Sequence, residues 1–414
     1  MNRRKVVVIG GGVVGLCTAY YLLQEGHQVT VIDKGKLGTG ASYVNAGYLT
    51  PSHVIPMAAP GMLAKGFQWM FNSSSPFYIK PRLDGDLFRW GLKFIKSCTH
   101  AHVQQSMQAI LDINILSKQL YLEMQKKGAF DFHLETKGLL MAYKTTEAEK
   151  EEAEVVSKAQ DLGLTVNQLS REEILKMQPE APMDIAGAFW YESDAHSTPE
   201  LFMKNLLAYL KKEGVEFILE NEVKQIKTKG SMIQSIQTIQ QEIALDELVI
   251  AAGAWSATLL RSLGIRLTLQ AGKGYRLNLN QPSGINLPAI LIESKVAVTP
   301  MKGFTRFGGT MELSGINHTI NKKRVNAIAE AAKNYYPHLR IPEEVYSHVN
   351  CGLRPLSHDG LPYIGRYPQF SNLVLAAGHA MMGWSLGPAT GKLVSELISQ
   401  QQPTLSLTPF APER

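Results

Sequence analysis

Cysteine is scarce in this chain, and the sequence holds little with which to build a cross-linked or metal-bound scaffold. Among its 414 residues the only cysteines are Cys17, Cys98 and Cys351. They lie far apart and form no CxxC pair, no even disulfide framework and no metal-ligand spacing. We therefore expect an intracellular, reducing environment and no metal site.

Long hydrophobic runs are also missing. The apolar stretch that follows Arg3, Arg4 and Lys5 could pass for a signal peptide, but glycines interrupt it and an acidic-ended strand follows it. No other stretch reaches the roughly 18–20 apolar residues that a bilayer-spanning helix needs. We therefore expect a cytoplasmic protein without a targeting or membrane-spanning segment.

Charge of either sign is not concentrated anywhere. Charged residues make up 19% of the chain, the formal net charge is +6 and the pI is about 9.0. The basic residues are spread along the chain, and no zinc-finger, helix-turn-helix or RNA-binding signature is present. The composition therefore excludes a disordered protein, indicates some attraction for anions and predicts no nucleic-acid partner.

What the sequence does have is a dinucleotide-binding fingerprint at its start. Residues 5–9 are largely β-branched and predict a short buried parallel strand. Residues 10–15, GGGVVG, fit G-x-G-x-x-G, a helix is predicted over 13–25, and a second strand ends at Asp33. Because strand, glycine turn, helix, strand and terminal acid follow in that order, the pattern is much more specific than a lone glycine motif.

Each position of the fingerprint has a physical task. Gly10 permits a tight turn, Gly12 lets the backbone approach a pyrophosphate, and Gly15 lets the helix pack closely on the strand. The helix N-terminus offers free N–H groups to the phosphates. Asp33 would accept hydrogen bonds from the ribose hydroxyls, and an acid there argues against the 2′-phosphate of NADP.

Apolar strands like the one before the glycine turn return later in the chain. Apolar strands are predicted over 247–252 and 372–377, and a helix follows the second of them. Between them, segments of alternating hydrophobicity predict a mostly antiparallel sheet; they cover 266–280, 289–299 and 304–312. The sequence therefore predicts a mixed α/β and α+β protein, in which one discontinuous Rossmann-like domain is interleaved with a β-rich lobe.

The boundaries of these units are predicted from where the hydrophobic pattern of the sequence changes. The dinucleotide domain is expected to comprise residues 1–61, 186–262 and 345–404. The substrate lobe is expected to comprise residues 62–185 and 263–344, built on a mainly antiparallel sheet.

Specific sequence blocks extend this interpretation over nearly the whole chain. They are VVVIGGGVVG with Asp33, ASYVNAG at 41–47, PMAAPG at 56–61, FQWMF at 67–71, LDGDLF at 83–88, KGY at 273–275, GLRPLSHDGLPYIG at 352–365 and GHAMMGWSLGPATG at 378–391. In this order they resemble the D-amino acid oxidase superfamily of FAD enzymes, and within it the bacterial D-amino acid dehydrogenase small-subunit group and its glycine oxidase relatives. The resemblance implies that the Rossmann-like domain binds FAD, without covalent attachment.

The resemblance also implies which residues contact the cofactor. The phosphates and the adenosine would be held by Gly10, Gly12, Val13, Val14, Gly15, Asp33, Lys34, Val223, Ala252 and Trp255. The flavin ring and the pyrophosphate would be lined by Ser42, Asn45, Ala46 and Gly47. The pyrimidine edge of the flavin would lie beside Gly378, Met382, Gly383, Trp384 and Ser385, where the N-terminus of the last helix would stabilise negative charge.

For catalysis the resemblance indicates Arg354, which matches the arginine that clamps the substrate carboxylate. A guanidinium grips a carboxylate with two parallel hydrogen bonds. Tyr275 could donate to the same carboxylate or be a half-buried strand tyrosine. His379 is the best placed histidine, although hydride removal needs no obligate base. The other histidines near a substrate would be His53, His196 and His358.

Two features keep alternatives open. Cys351 lies in the neighbourhood where some amine-oxidising relatives attach flavin covalently, but in a different register, so we expect no such bond. The aromatic and basic segment 62–100 is either lid and core packing of the substrate lobe or a contact with an anionic membrane surface. The second alternative would suit a protein that is peripheral on the cytoplasmic membrane face and passes electrons to a quinone.

The expected activity is FAD-dependent oxidative deamination of a D-amino acid to a 2-oxo acid and ammonia, a step of amino acid catabolism. A hydride would pass from the α-carbon to flavin N5, and the electrons would go to a quinone-type acceptor rather than oxygen. One alternative is an oxidase or dehydrogenase of glycine, sarcosine or a cyclic imino acid such as D-proline or hydroxyproline. A second alternative is a non-catalytic flavin electron-transfer subunit.

Overall fold

The computed structural model describes residues 3–61 and 75–414. Its strands are β1 (Lys5–Ile9), β2 (Gln28–Ile32), β3 (Tyr48–Leu49), β4 (Phe77–Ile79), β5 (Leu134–Glu135), β6 (Leu139–Tyr143), β7 (Val166–Ser170), β8 (Gly187–Tyr191), β9 (Ala195–Ser197), β10 (Glu216–Ile218), β11 (Val223–Lys229), β12 (Met232–Thr238), β13 (Glu242–Ala244), β14 (Glu247–Ile250), β15 (Leu269–Leu279), β16 (Ala289–Leu291), β17 (Val296–Met301), β18 (Phe304–Leu313), β19 (Asn350–Ser357), β20 (Tyr363–Arg366) and β21 (Leu373–Ala377). Its α-helices are α1 (Val13–Gln24), α2 (Gly85–Ser97), α3 (His100–Lys127), α4 (Thr146–Asp161), α5 (Arg171–Met177), α6 (Pro199–Lys212), α7 (Ser256–Leu260), α8 (Lys322–Tyr335), α9 (Glu343–Ser347) and α10 (Gly387–Ile398). Short 3-10 helices lie at Gly253–Trp255, Arg261–Leu263 and Thr408–Phe410.

A six-stranded sheet forms the first half of the fold, with strand order β10-β2-β1-β14-β21-β20. All neighbours pair in parallel except β20, which is antiparallel to β21. Both faces are covered. Val6 and Val8 of β1 pack with α1, α3, α6 and α10, whereas Val7 and Ile9 pack on the other face with side chains of β11 and β12. Burial of both faces explains why the strand sequences are continuous apolar runs.

A nine-stranded sheet forms the second half, with order β19-β15-β18-β17-β16-β6-β8-β7 and with β4 beside β18. The β16–β6 and β18–β4 pairs are parallel, and the remaining pairs are antiparallel. Helix α8 packs its apolar side, including Val325 and Ile328, against this sheet. The predicted fold class, a Rossmann-like domain with a mainly antiparallel second sheet, is confirmed.

Two strands cross the predicted domain boundaries. β8 and β19 lie in segments that the sequence assigned to the dinucleotide domain, but they pair with β6 and β15 in the nine-stranded sheet. Strand pairing between distant segments leaves no local periodicity to detect. The boundaries themselves therefore stay a prediction, while sheet membership is assigned by these hydrogen bonds.

The last helix is brought unusually close to the first. A Cβ at Gly391 of α10 would overlap the backbone of Cys17 in α1, and a Cβ at Gly387 would lie 2.8 Å from a methyl carbon of Val13. Small residues allow this close approach of two helix backbones. As a result, the segment before α10 is held beside the glycine turn before α1.

Among the helices in the described ranges, none is both long enough and apolar enough to cross a membrane.

Candidate cofactor and substrate site

A cavity of about 1630 Å³ connects the two halves of the fold. It begins at the carboxyl ends of β1, β2, β14 and β21 and continues to β15, β18 and β19. In open parallel sheets, ligands bind in the crevice outside the carboxyl ends of the strands. The predicted site residues that line the cavity are Gly10, Gly12, Val13, Val14, Asp33, Lys34, Ser42, Asn45, Ala46, Val223, Ala252, Trp255, Tyr275, Arg354, His379, Met382, Gly383, Trp384 and Ser385.

The remaining three predicted site residues, Gly15, Gly47 and Gly378, do not line the cavity but make its walls possible. A Cβ at Gly15 would overlap the carbonyl of Gly10, and one at Gly47 would overlap the carbonyl of Ser197. Gly378 has φ +78°, and a Cβ there would lie 2.7 Å from the ring of Tyr363. These glycines therefore allow close packing behind the surface that a ligand would touch.

The glycine turn after β1 forms the phosphate end of the cavity. Gly10 has φ +112°, which an L side chain rarely adopts, and a Cβ there would overlap the carbonyl of Ala251. The Val13 N–H at the start of α1 donates to the Ser42 Oγ at 2.9 Å. Because the Ser42 oxygen accepts this bond, its own O–H remains available to donate to an anion. The turn, the helix start and the serine together fit a pyrophosphate.

Asp33 at the end of β2 is fixed by the backbone. Its Oδ2 accepts from the Gly11 N–H at 2.8 Å, and its Oδ1 accepts from the Gly35 N–H at 2.9 Å. An ionised carboxylate has about four lone-pair positions, so two bonds leave acceptor capacity for hydroxyl groups. This geometry fits the ribose of a dinucleotide.

A stacked group lies at the end of the cavity where the adenosine is predicted. The Lys34 Nζ lies 3.7 Å from the ring centroid of Trp255, close enough for a cation–π interaction. The ring of exposed His318 lies 6.1 Å from that of Trp255, at an angle of 18°. Partial burial, which outweighs nearby carboxylates, lowers the pKa of Lys34. Val223 and Ala252 line the same end of the cavity.

The loop that contains Asn45 and Ala46 is held rigid by residues that sequence reasoning missed. The Arg306 Nη1 donates to the Asn45 carbonyl at 2.6 Å, and its Nη2 pairs with Glu200. Arg306 is fully buried, and burial lowers its pKa to about 10. The Thr299 Oγ1 donates to the Ala46 carbonyl at 2.8 Å. Backbone carbonyls as acceptors leave no sequence motif by which these two residues could have been found.

The segment before α10 closes the cavity from the other side. The buried Trp384 donates its Nε1–H to the Ser197 Oγ at 2.9 Å. The Ser385 Oγ donates to the Asn114 Oδ1 at 2.6 Å and accepts from the Thr50 N–H at 3.1 Å. Side chains of α3 and β9 and the backbone N–H of Thr50, next to β3, therefore fix this segment at the cavity wall.

His379 lies in that segment, but its ring is already bonded within the protein. Its side chain is almost fully buried, and its Nε2 lies 2.9 Å from the Thr390 Oγ1. Burial lowers the pKa of His379 to about 3, so its ring is neutral near pH 7. His53 also lines the cavity, whereas His196 and His358 are not among its lining residues.

Arg354 on β19 reaches the cavity from the nine-stranded sheet. Its Nη1 donates to the Thr310 carbonyl at 2.8 Å. No carboxylate pairs with Arg354 among residues 3–61 and 75–414. Burial lowers its pKa to about 10, which leaves the guanidinium charged at neutral pH. A buried cation without a counter-ion is costly, so the geometry favours an anionic ligand at this position.

Two further residues shape the position of this guanidinium. A Cβ at Gly274 of β15 would overlap the guanidinium of Arg354, so glycine is what leaves room for it. Thr310, whose carbonyl receives the bond, has φ +65°, a strained conformation for a β-branched residue. Sequence reasoning missed both residues, although Gly274 lies inside the KGY block.

Tyr275 lines the cavity but directs its hydroxyl elsewhere. The Tyr275 O–H donates to the Glu312 Oε2 at 2.8 Å, and Glu312 also pairs with Lys273 at 3.0 Å. Burial, followed by the bond to Glu312, raises the pKa of Tyr275. A role as donor to a substrate carboxylate stays a prediction, and it requires the bond to Glu312 to break.

The chain is similar to known proteins over nearly its whole length. Residues 5–397 match the model of the DAO family, described as FAD dependent oxidoreductase. A D-amino acid dehydrogenase of Neisseria meningitidis serogroup C is 31% identical over 404 residues, 95% of this chain and 96% of that protein. A D-amino acid dehydrogenase of Vibrio vulnificus is 29% identical over 405 residues, 96% of each chain.

Solved structures share the fold at lower identity. Glycine oxidase from Geobacillus kaustophilus has a TM-score of 0.78 and 23% identity, covering 100% of this chain and 99% of that one. L-proline dehydrogenase from P. horikoshii has a TM-score of 0.75 and 19% identity, covering 100% and 98%. With a family match over most of its length and a cavity whose two ends fit a dinucleotide, the chain belongs to the DAO family of FAD-dependent oxidoreductases, and FAD is its cofactor.

Proposed function

We propose that this enzyme oxidises D-amino acids to 2-oxo acids and ammonia and transfers the electrons to a quinone-type acceptor rather than to oxygen. The single observation that carries the proposal is the charged Arg354 guanidinium, which reaches the FAD cavity without a carboxylate partner in the described part of the chain. A flavin electron-transfer subunit would have no use for such a group. The names of the relatives that align over nearly the full chain support the D-amino acid and the dehydrogenase parts of the proposal.

The protein's task in this reaction is to position the substrate. Bound FAD would supply the acceptor for the hydride of the α-carbon. Arg354 holds the carboxylate with two parallel hydrogen bonds, and the Thr310 carbonyl fixes the guanidinium that makes them. Fixing the substrate in a reactive orientation supplies much of the rate in such reactions. The residues that we propose to hold FAD non-covalently are those of the glycine turn, Asp33, Ser42 and the segment before α10.

The wall beside Arg354 favours an apolar substrate side chain. The Met311 sulfur lies 3.9 Å from the Arg354 Nη1. Met311 packs in one cluster with Trp90, and Phe77 and Phe94 pack against that cluster. All of these residues line the cavity. A carboxylate held by Arg354 would place the rest of a small amino acid near this apolar surface, where burial of each methylene contributes about 0.8 kcal/mol.

The acceptor would approach from the side of α2. Trp90, Phe94 and Ile95 of α2 line the cavity. Phe88, Leu92 and Ile95 are 69%, 48% and 49% exposed, and we call these three residues the apolar face of α2. Lys93 and Lys96 lie in the same helix, and apolar residues next to basic ones are typical of helices that rest on anionic membranes. The proposal therefore places the protein in the cytoplasm, with α2 on the membrane face; the part of segment 62–100 before residue 75 lies outside the described residues.

The test of the reaction is anaerobic reduction of the bound flavin by D-amino acids, L-amino acids, glycine, sarcosine, D-proline and hydroxyproline. We expect D-amino acids with apolar side chains to reduce it fastest, with little hydrogen peroxide when air is admitted. Arg354→Lys keeps the charge but loses the planar guanidinium that donates two parallel hydrogen bonds, so we expect kcat/KM to fall at least about tenfold. Arg171→Lys, at an exposed position on α5, is the matched control.

The outcomes separate the alternatives. Faster reduction by glycine, sarcosine or a cyclic imino acid would replace the proposed substrate class, and rapid peroxide release would replace the dehydrogenase by an oxidase. If no amino acid reduces the flavin, the electron-transfer subunit is the better interpretation.

The membrane contact is tested separately by lipid flotation. With anionic vesicles at low salt, we expect the protein to float, and Phe88→Ser with Leu92→Ser to abolish flotation while flavin reduction persists. Ile239→Ser, at a residue that is 61% exposed elsewhere, is the control. Equal flotation of all three proteins would overturn the contact through α2.

A further inference from the structure

Outside the FAD cavity, two histidines and a carboxylate come together although no metal site was expected from the sequence. His133 precedes β5, Glu135 ends β5, and His196 lies in the middle of β9. Glu135 and His196 are direct neighbours across the β5–β9 pair. The ligand atoms of the three side chains all lie within 4.8 Å of one another. None of the three lines the FAD cavity, so the cluster is a separate place in the fold.

The spacing of the ligand atoms is close to that of a tetrahedral zinc site. The His133 Nε2 lies 3.1 Å from the Glu135 Oε1, and the His196 Nε2 lies 3.7 Å from the Glu135 Oε2. Ligands about 2.0–2.1 Å from Zn²⁺ in a tetrahedron are separated from each other by roughly 3.3–3.4 Å. The two measured separations lie on either side of that value and involve the two different oxygens of Glu135, so the three side chains can close around one metal ion when the bond between His133 and Glu135 gives way to it.

A second observation concerns His196 alone. Its side chain is fully buried, and neither ring nitrogen has a hydrogen-bond partner among the described residues. The carbonyl of Pro300 lies near enough to favour the protonated ring, but it does not meet hydrogen-bond geometry. Buried polar atoms are nearly always paired, and an orphaned one calls for a missing partner. A metal ion at one ring nitrogen of His196 would supply that partner.

His133 is already oriented as a ligand would be. Its Nδ1 lies 2.9 Å from the Thr198 Oγ1, and that oxygen also accepts from the Lys302 N–H at 2.9 Å. A second polar group at one ring nitrogen is what fixes the orientation of histidines that bind metals through the other. The Nε2 of His133 is thereby presented to the position between Glu135 and His196.

The competing interpretation is a salt-bridged cluster without a metal. The Lys137 Nζ lies 2.7 Å from the Glu135 Oε2, and its side chain is 45% exposed. In that case Lys137 balances the negative charge of Glu135 and no metal ion is required. Exposed lysine–carboxylate pairs contribute only about 0–1 kcal/mol, so a divalent ion can displace the lysine to solvent.

We propose that His133, Glu135 and His196 form a binding site for a divalent transition metal of the zinc class, with water as the fourth ligand. Such a metal would join the segment at β5 to β9 beside Ser197. Ser197 donates from its N–H to the Gly47 carbonyl at 2.8 Å and accepts from the Trp384 Nε1 at 2.9 Å. A metal ion there would therefore brace the strand that contacts two walls of the FAD cavity through Ser197.

The experiment uses the FAD-loaded full chain after treatment with a chelator and removal of the chelator. Zn²⁺ titration by calorimetry is expected to show one ion per chain. Co²⁺ is expected to give the absorption bands of a tetrahedral site at wavelengths beyond those of oxidised flavin. His133→Ala and Glu135→Ala should each weaken Zn²⁺ binding at least tenfold, whereas His348→Ala, at an exposed histidine, should bind like the wild type.

A further variant separates the metal site from the salt-bridged cluster. Lys137→Met removes the competing cation and should tighten Zn²⁺ binding, and Zn²⁺ should raise the unfolding temperature of this variant and of the wild type. Absence of stoichiometric Zn²⁺ binding in the wild type and in Lys137→Met would overturn the proposal. So would unchanged binding in folded, flavin-loaded His133→Ala and Glu135→Ala. If these two variants fail to fold, the wild type and Lys137→Met still decide.

Discussion

The position of Arg354 depends on a residue that never needs to touch the substrate, and this dependence can be tested with one methyl group. In Gly274→Ala the new Cβ would overlap three atoms of the Arg354 guanidinium, which would have to move. Gly274 lies at a register shift between β15 and β18, but it pairs regularly with Gly352 of β19 and has no positive φ, so its backbone should tolerate alanine. The substitution therefore displaces the carboxylate anchor without removing it.

The expected loss in kcat/KM follows from the hydrogen bonds between Arg354 and the substrate carboxylate that would be weakened. A hydrogen bond to a charged group contributes about 1.5–3 kcal/mol, which corresponds to about 10- to 140-fold in kcat/KM. We expect a loss in this range when one of the two bonds to the substrate carboxylate is misaligned. Because the bound substrate already makes these bonds, KM should rise, and kcat should fall as far as the substrate is held out of reactive orientation.

The assay is steady-state oxidation of the best D-amino acid with an artificial electron acceptor. The matched control is Gly308→Ala on the neighbouring strand β18, where a Cβ would meet its nearest atom, the Tyr275 carbonyl, at 3.8 Å. Flavin content and far-ultraviolet circular dichroism should be equal in both variants. Wild-type KM in Gly274→Ala, or an equal loss in Gly308→Ala, would refute the reasoning about Arg354.

Three further predictions concern the cofactor and the stability of the fold. Ser42→Ala removes the acceptor of the Val13 N–H and a donor to the phosphates, so FAD should bind about 1–2 kcal/mol more weakly, measured by fluorescence of released flavin. Burial lowers the pKa of His379 to about 3 from 6.5, so the unfolded chain takes up a proton at a higher pH than the folded chain does. The free energy of unfolding should therefore fall as the pH drops from 6.5 toward 3, by up to about 1.4 kcal/mol per pH unit. His379→Gln, which can keep a bond to Thr390, should flatten that dependence in urea titrations, and an unchanged slope would contradict the assignment. Since we expect no covalent bond through Cys351, acid precipitation should leave a colourless pellet, and a yellow one would contradict this.

The local parts of the fold could be predicted because their causes are local. Ser170 followed by Glu173 three residues later is the sequence pattern of a capping box, and α5 begins with both of its hydrogen bonds. Proline is favoured in the first turn of a helix, and α6 begins at Pro199. Thr198 is the N-cap of α6, but its hydroxyl makes no cap hydrogen bond, because it is shared between His133 and the Lys302 N–H. Neighbouring residues thus predict where a helix begins, but they do not predict which group a side chain will form a hydrogen bond with.

The candidate site divides in the same way. Gly10 and Asp33 could be found because a phosphate turn and a ribose acceptor impose residue types at fixed spacing on one strand–helix–strand unit. Arg306 and Thr299 could not be found, because they support the flavin-side loop by donating to backbone carbonyls, and any sequence offers those. The His133–His196 cluster escaped for another reason: its members come together only through the β5–β9 pair.

The KGY block at 273–275 shows how the structure changes the meaning of a motif that the sequence did reveal. Read along the chain, its chemically active residue is Tyr275, yet the hydroxyl of that residue is bonded to Glu312. Strands β15 and β19 pair so that Gly274 lies opposite Gly352, and the guanidinium of Arg354 occupies the space that a side chain at Gly274 would fill. Lys273, in turn, neutralises Glu312. The block therefore acts by leaving room for the Arg354 guanidinium and by balancing the charge of Glu312. The need for glycine at position 274 comes from an arginine that is far away in the sequence but lies on the neighbouring strand.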